Sequence, residues 1–150
     1  DAAIRVPLLV HIPGECDQGE RDDRPVMLLD LVPTIAEGFG IEADHALPGI
    51  DLRSDAHGYE RPVYSEIVSS FGADVAQYGF ESHVRMVKTN EWKYLSKASG
   101  NHELFSVPDD PDENNNLGDD PAYKDVCAEM QGLIDGNPGR YRVGNVTVVE

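Results

Sequence analysis

The first apolar segment of the chain, residues 4–12, shows no alternation between apolar and polar positions. Runs of this kind are typical of strands that are buried on both faces, as in a parallel sheet covered by helices. Pro13 and Gly14 provide a stop signal directly after the run. We therefore predict a buried strand over residues 4–12, followed by a charged, solvated loop over residues 15–24.

Apolar residues recur at helical spacing after Asp30. Leu31, Ile35 and Phe39 lie four positions apart and would share one face of a helix. Asp30 is suited to cap the helix at its first turn, and Gly40 is suited to end it. A strand followed by a helix is half of a βαβ unit, so this half of the chain indicates α/β architecture.

Alternation of apolar and polar positions reappears in the second half of the chain. It predicts a strand over residues 62–68, a loop of small residues over 69–82, and then a meander with strands at 84–88, 92–96 and 103–107. A last helix begins at Asp120 and Pro121 and ends near Gly136. The tail from 140 to 149 either adds an edge strand or stays loose.

These elements define the predicted fold class, an α/β fragment in two parts. Residues 1–50 supply one strand and one helix of a main α/β sheet. Residues 51–150 form a small α+β subdomain of antiparallel strands closed by the C-terminal helix.

The composition excludes several functional classes. The chain has 28 acidic and 12 basic residues, a formal charge of −16, which repels phosphate backbones and argues against a nucleic-acid partner. Its apolar runs are too short to span a membrane, and two cysteines form neither a disulfide framework nor a zinc cluster. We expect a soluble protein of unassigned location. The Asp-rich, Lys-poor composition suits the cytoplasm of a salt-adapted organism, or simply an ordinary acidic protein.

The residues by themselves reveal no active site. The histidines are scattered without metal-ligand spacing: His11, His45, His57, His83 and His102. The acidic loop over residues 109–116 has no register that fits a calcium-binding loop, so we interpret it as a solvated turn. Cys127 lies on the apolar face of the last helix, and Cys16 lies among acids that would raise its pKa. We therefore assign no catalytic and no metal-binding residue.

Four segments, taken together and in order, resemble the C-terminal part of a sulfatase, in the alkaline phosphatase superfamily. They are spread over roughly residues 4–134. The first three are residues 4–14 (IRVPLLVHIPG), 27–35 (MLLDLVPTI) and 47–52 (LPGIDL), and the fourth consists of the blocks 84–87 (VRMV), 92–95 (WKYL), 103–107 (ELFSV) and 110–117 (DPDENNNL).

The resemblance implies a catalytic centre that this sequence does not contain. Sulfatases use calcium and a formylglycine made from Cys or Ser in a C/S-x-P-x-R motif, and that motif is absent here. The family's metal-binding acids lie upstream of the segment that corresponds to residues 4–14. We therefore expect this chain alone to be inactive. The implied partners are the rest of a parent sulfatase, which would carry the calcium and formylglycine, and a sulfate ester substrate.

The same resemblance directs attention to the region between residues 66 and 85. In the family this part of the chain often borders the substrate cleft, so it is the candidate substrate wall. His83 and Arg85 are expected to approach an anionic group, and Glu66 lies at the end of the preceding strand. The alternative interpretation is that these are exposed polar residues that flank a strand.

Two other functions remain open on the sequence. One is the tail of a phosphonate monoester hydrolase or phosphodiesterase of the same superfamily, and the other is a non-catalytic acidic interaction domain. If residues 4–12 belong to a sheet whose other strands lie elsewhere, Val6, Leu8, Val10 and the helix face around Leu31 should be partly uncovered. An open sheet edge would then allow two copies to pair as a homodimer.

Overall fold

The computed structural model describes residues 4–14, 19, 21–22, 24–41, 49–54, 60–68 and 83–137. A single 3₁₀ turn, Leu28–Asp30, leads into helix α1, Leu31–Gly38. A second one, Pro121–Tyr123, leads into helix α2, Lys124–Gly136. Between the helices lie four strands: β1 Val63–Val68, β2 His83–Lys88, β3 Trp92–Lys97 and β4 His102–Ser106.

The four strands form one antiparallel sheet in the order β1-β2-β3-β4. The predicted meander is therefore confirmed, and the strand that was predicted separately over residues 62–68 joins it as β1. Glu66 lies opposite Arg85 in the β1–β2 pair. Val87 lies opposite Tyr94, which in turn lies opposite Leu104, so these three residues share one face.

Helix α2 packs on that face and forms the core with it. The buried residues of the core are Val87, Tyr94, Leu104, Cys127, Met130 and Ile134. As predicted, Asp120 caps the start of this helical segment, where its carboxylate accepts a hydrogen bond from the Ala122 N–H (2.9 Å). Burial raises the pKa of the Cys127 thiol, which agrees with its predicted place on the apolar face.

The outer edge of β4 is covered by the polar loop that follows it. The Leu104 N–H donates to Asn116 Oδ1 (3.0 Å), and the Leu117 N–H donates to the Leu104 carbonyl (2.8 Å). Within the loop, the Asp110 carboxylate accepts hydrogen bonds from the N–H groups of Asn114 and Asn115. The acidic segment is thus a side-chain-stabilised turn, as we interpreted it, and it closes one edge of the sheet.

The N-terminal strand predicted over residues 4–12 is not formed. Residues 5–12 are irregular, and their apolar side chains face solvent: Leu9 is 97% exposed and Val6 61%. A strand needs a neighbour for its backbone groups, and the part of the chain that the structure describes offers none beside this segment. The expected uncovering of Val6, Leu8 and Val10 is confirmed.

Helix α1 is confirmed in its position, and the expected uncovering of the helix face around Leu31 is confirmed as well. Ile35 and Phe39, which share a face with Leu31, are 57% and 80% exposed, whereas Pro33 and Thr34 are buried. Gly40 follows the helix with φ of 69°, a left-handed conformation that suits glycine at a helix end. The apolar face of α1 is therefore an uncovered surface and contributes nothing to the core around α2.

Some predictions fall outside the described residues. They include the loop at 69–82, the tail at 140–149, and the surroundings of Cys16, His45 and His57. The division of the chain at residue 50 also stays a prediction.

Candidate functional site

The end of the β1–β2 ribbon brings the three predicted site residues together. Glu66 lies opposite Arg85, and His83 lies on the same strand as Arg85, two residues before it. Because residues two apart on a strand share a face, all three side chains emerge on the face that carries α2. His83 Nε2 lies 2.5 Å from Glu66 Oε1. A carboxylate accepts hydrogen bonds, so in this pair the histidine carries its proton on Nε2 and donates it.

Arg85 reaches from the sheet to helix α2. Its Nη1 donates to Asp135 Oδ1 (3.3 Å), and the other oxygen of Asp135 accepts from Gln131 Nε2 (3.1 Å). The Tyr94 hydroxyl donates to Gln131 Oε1 (3.3 Å). Burial raises the pKa of the Tyr94 phenol, so it stays protonated and remains a donor at neutral pH. A row of hydrogen bonds therefore runs from the core to Arg85.

We call Glu66, His83, Arg85, Gln131 and Asp135 the Arg85 cluster. The sequence analysis found the first three residues and missed the two on α2. A signal was present, because Gln131 and Asp135 are four residues apart and so lie on one helix face. What the sequence could not provide is the packing of α2 on the sheet, which places that face beside β2.

The Arg85 cluster carries no net positive charge. Each basic side chain has a carboxylate partner, with Glu66 beside His83 and Asp135 beside Arg85. The formal charge is −1 with a neutral imidazole and zero with a protonated one. The cluster thus presents hydrogen-bond donors and acceptors side by side. It offers no surplus of positive charge to an anion.

A second polar cluster links α1 to the start of β1. The Asp30 carboxylate is fully buried and accepts hydrogen bonds from Met27 N (2.7 Å), Ile50 N (3.1 Å) and Arg61 Nη2 (2.7 Å). The prediction that the Asp30 side chain caps α1 is wrong, because this side chain makes no capping hydrogen bond to α1. The 3₁₀ turn Leu28–Asp30 begins before the helix, and the Asp30 carboxylate binds Ile50 and Arg61.

Thr34 extends this cluster. Its hydroxyl donates to the Asp30 carbonyl (2.6 Å) and accepts from Leu52 N (3.0 Å). Arg61 Nε and Nη1 are buried and find no acceptor among the described residues. The cluster fastens the turn at 49–52 and the entry to β1 onto α1, so its role is to connect the two predicted parts of the chain.

The opposite face of the sheet holds a buried ion pair. Lys93 is only 5% exposed, and its Nζ donates to both carboxylate oxygens of Glu113 (2.8 and 2.7 Å). Burial acts to raise the pKa of Glu113, but the hydrogen bonds and charge of Lys93 oppose it, and the pKa lies below its ordinary value. Glu113 itself has φ of 58°, so the loop turns sharply to bring its carboxylate to Lys93.

The described residues do not fit the catalytic groups that the resemblance implies. Among them, no three histidine, cysteine or acidic side chains converge as metal ligands. The sequence also has no C/S-x-P-x-R segment from which a formylglycine could form. We therefore derive no catalytic step from this chain.

Neither helix in the described part of the chain has the length and apolarity needed to cross a membrane.

Comparison with known proteins gives a consistent family relationship. The family N-sulphoglucosamine sulphohydrolase, C-terminal, matches residues 1–137. The uncharacterized sulfatase YidJ of Escherichia coli (strain K12) is 31% identical over 136 residues, which are 89% of this chain and 26% of that protein.

Solved structures agree with this relationship. A crystal structure described as that of a sulfatase from Bacteroides thetaiotaomicron has a TM-score of 0.59 and 30% identity, covering 71% of this chain and 23% of that one. A phosphonate monoester hydrolase from Silicibacter pomeroyi has a TM-score of 0.66 at 23% identity, covering 81% of this chain and 26% of that one. The latter shows a shared fold.

The chain belongs to the N-sulphoglucosamine sulphohydrolase C-terminal family and is a member of the sulfatase superfamily. Its antiparallel sheet and helices correspond to the C-terminal part of these enzymes. It spans about a quarter of the length of the relatives that it matches.

Proposed function

We propose that this chain is the C-terminal portion of a sulfuric ester hydrolase and forms one wall of its substrate cleft. The observation that carries the proposal is the Arg85 cluster. It gathers polar side chains from two strands and one helix, with Glu66 and Asp135 about half exposed. Such convergent polar groups are typical of ligand-contacting surfaces.

The partner in this proposal is the remainder of the polypeptide, which would cover the apolar side chains that this chain leaves uncovered. Leu9, Phe39 and their neighbours on residues 5–12 and α1 are exposed on segments that the sequence predicts for a main sheet. Large apolar patches are rare on isolated soluble proteins and mark interaction sites. Calcium and formylglycine, which the family implies, would belong to that remainder, so we expect no activity from this chain alone.

The first test compares this chain with the full-length polypeptide that contains it, using 4-nitrophenyl sulfate with added calcium or with a chelator. We expect turnover by the full-length protein, loss of that turnover on chelation, and none from the 150-residue chain. Turnover by the chain alone would contradict the proposal, because all of its predicted catalytic groups lie elsewhere.

The second candidate function is that of a phosphonate monoester hydrolase. The fold shared with the Silicibacter pomeroyi enzyme supports including it. A phenyl phosphonate monoester, assayed in parallel with 4-nitrophenyl sulfate, separates the two by their ratio of kcat/KM. If the full-length protein turns over neither ester, both enzymatic functions fail, and a non-catalytic acidic interaction domain becomes the better interpretation.

A further inference from the structure

The four-stranded sheet has two outer edges, and the described residues cover only one of them along its length. The loop that follows β4 closes that edge through its hydrogen bonds to the backbone of Leu104. The other edge is the outer side of β1. The described residues reach it at a single point, where the Tyr64 N–H donates to the Met27 Sδ (3.3 Å).

The register of the sheet shows which backbone groups of β1 face outwards. The His83 carbonyl accepts from the N–H of Ala98, the residue after β3, so residues 83, 85 and 87 direct their backbone groups towards β3. Residues 84, 86 and 88 then direct theirs towards β1, where their partners are residues 67, 65 and 63. The N–H and C=O groups of Glu66 and Val68 therefore point away from the sheet, and among the described residues nothing binds them. A row of unpaired backbone groups is a template for a further strand.

Residues 140–149 (RYRVGNVTVV) have the composition of a strand. Half of these residues are β-branched, and they follow Asn137, Pro138 and Gly139, which are typical turn residues. The segment lies outside residues 1–137, the part of the chain that the family comprises. Family membership therefore gives it no role.

The end of α2 lies close to the open stretch of β1. Asp135, near the end of α2, binds Arg85 (3.3 Å), which lies opposite Glu66. The helical segment starts where the rings of Tyr123 and Trp92 are in contact, level with the start of β1. Because α2 thus runs in the same direction as β1, a chain that reverses after α2 runs antiparallel to β1.

The two faces of β1 differ in the same way as the alternating residues of this segment. Glu66 is about half exposed on the face that carries α2, and Ile67 is 56% exposed on the other face. Arg140 and Arg142 alternate with Tyr141. One register therefore places the two arginines on the face of Glu66 and Tyr141 opposite Ile67, so that charges and apolar groups both find complementary partners.

We propose that residues 140–149 dock on the outer edge of β1, and that their first residues, 140–143, form a fifth strand antiparallel to it, with Arg142 opposite Glu66. The chain from Asp135 to Arg142 reaches about 23 Å when extended. A strand outside β1 lies two interstrand spacings from β2, about 10 Å in total, so the segment is long enough. The occupant of the open edge is then a segment of the same chain.

Hydrogen exchange of the full-length polypeptide that contains this chain, read at single amides by mass spectrometry, tests the docking. The N–H groups of Glu66 and Val68 should exchange about ten-fold or more slowly in the wild type than in a variant that lacks residues 140–149. Those of Ser65 and Ile67 bind β2 and should exchange alike in both proteins, which makes them the internal control. If Glu66 and Val68 exchange equally fast in both proteins, the docking is overturned.

Two proline variants test the register without removing the segment. Arg142→Pro deletes an N–H that faces β1 in the proposed register and should speed exchange at Glu66 about ten-fold. Val143→Pro is the matched control, because its N–H would face solvent, and it should change that rate by less than about three-fold. Equal effects of the two variants would overturn the proposed register.

A disulfide identifies the chain that occupies the edge. Ile67→Cys with Tyr141→Cys, in a Cys16→Ser background, should oxidise to a bond within one chain, because Cα atoms of opposed antiparallel residues lie about 4.5–5.5 Å apart. Ile67→Cys with Asn145→Cys is the control, since four residues along a strand add about 13 Å. Equal yields from the two pairs would contradict the docking. A bond that joins two chains would overturn it as well and assign the edge to a second copy.

Discussion

The buried ammonium group of Lys93 is stabilised by the carboxylate of Glu113. Lysine is almost never buried unless it is paired, and Lys93 is held by both oxygens of one carboxylate. The sequence places Lys93 in a strand and Glu113 in a polar loop 20 residues later, and neither position by itself indicates the pair. Their contact arises because the loop after β4 folds back across the sheet.

At this scale we predict that Glu113→Gln lowers the free energy of unfolding by about 2 kcal/mol at pH 7, since a neutral amide replaces the carboxylate that binds the buried Lys93 ammonium through both oxygens. The lowered pKa of Glu113 means that the wild-type stabilisation is complete above the ordinary carboxyl value, about 4.3, and is lost as pH falls through the lower folded value. Urea denaturation between pH 3 and pH 7 should therefore show the two proteins converging in acid.

Glu103→Gln is the control for this comparison. Its partner Lys97 is partly exposed, and pairs of that kind contribute about 0–1 kcal/mol. If both variants lose the same free energy of unfolding, the buried Lys93–Glu113 pair stabilises the protein no more than the partly exposed Lys97–Glu103 pair does.

Glycines show how elements approach one another. A Cβ at Gly49 would lie 2.0 Å from the carbonyl oxygen of Leu29, in the turn that begins α1, so the segment at 49–52 packs directly against that backbone. A Cβ at Gly132, within α2, would meet nothing within 4 Å. Gly49 therefore allows two backbone segments to lie in contact, whereas Gly132 lies on an open helix surface where a larger side chain would fit.

This contrast predicts opposite effects of one substitution. Gly49→Ala should destabilise the protein by about 2 kcal/mol or more, because backbone on both sides must move. Gly132→Ala should stabilise it by about 1 kcal/mol, because alanine is the better helix former at an unhindered position. Thermal denaturation of both variants measures this, and a stabilised Gly49→Ala variant would show that the 49–52 turn does not hold its place beside Leu29.

The whole molecule combines an uncovered apolar surface with a formal charge of −16. The apolar surface favours association, and the charge opposes it by self-repulsion. Salt screens repulsion between copies, with a Debye length of about 10 Å at 0.1 M. The balance between the two therefore depends on ionic strength.

We predict that the isolated chain associates increasingly as salt is raised, and that Leu9→Gln together with Phe39→Gln suppresses this association. The melting temperature should change by less than about 2 °C, because these side chains are already exposed in the folded state. Sedimentation velocity from 0.05 to 1 M NaCl checks the first outcome. Association that persists in the double variant would instead favour pairing through a sheet edge, as in the homodimer that we expected from the sequence.

Local patterns were sufficient for much of this fold. Alternation along β1 to β4 and the helical spacing of α2 predicted those elements with bounds close to the observed ones, because these segments bury one face within the chain. The candidate residues Glu66, His83 and Arg85 came from the family resemblance and the strand that carries them. Their substrate-binding role stays a prediction.

The sequence by itself determined the order and type of these elements, the family, the acidic charge, and the absence of a formylglycine motif. The tertiary structure alone decided which charges meet. Arg85 binds Asp135, which lies 50 residues further along the chain, and Lys93 binds Glu113, which lies 20 residues further along. Asp30 binds Arg61, 31 residues away, and does not cap α1 as expected. It also decided that residues 5–12 form no strand. The physical reason is that periodicity reports which side of a segment is apolar, whereas hydrogen bonds, ion pairs and burial depend on the neighbour that packs against it.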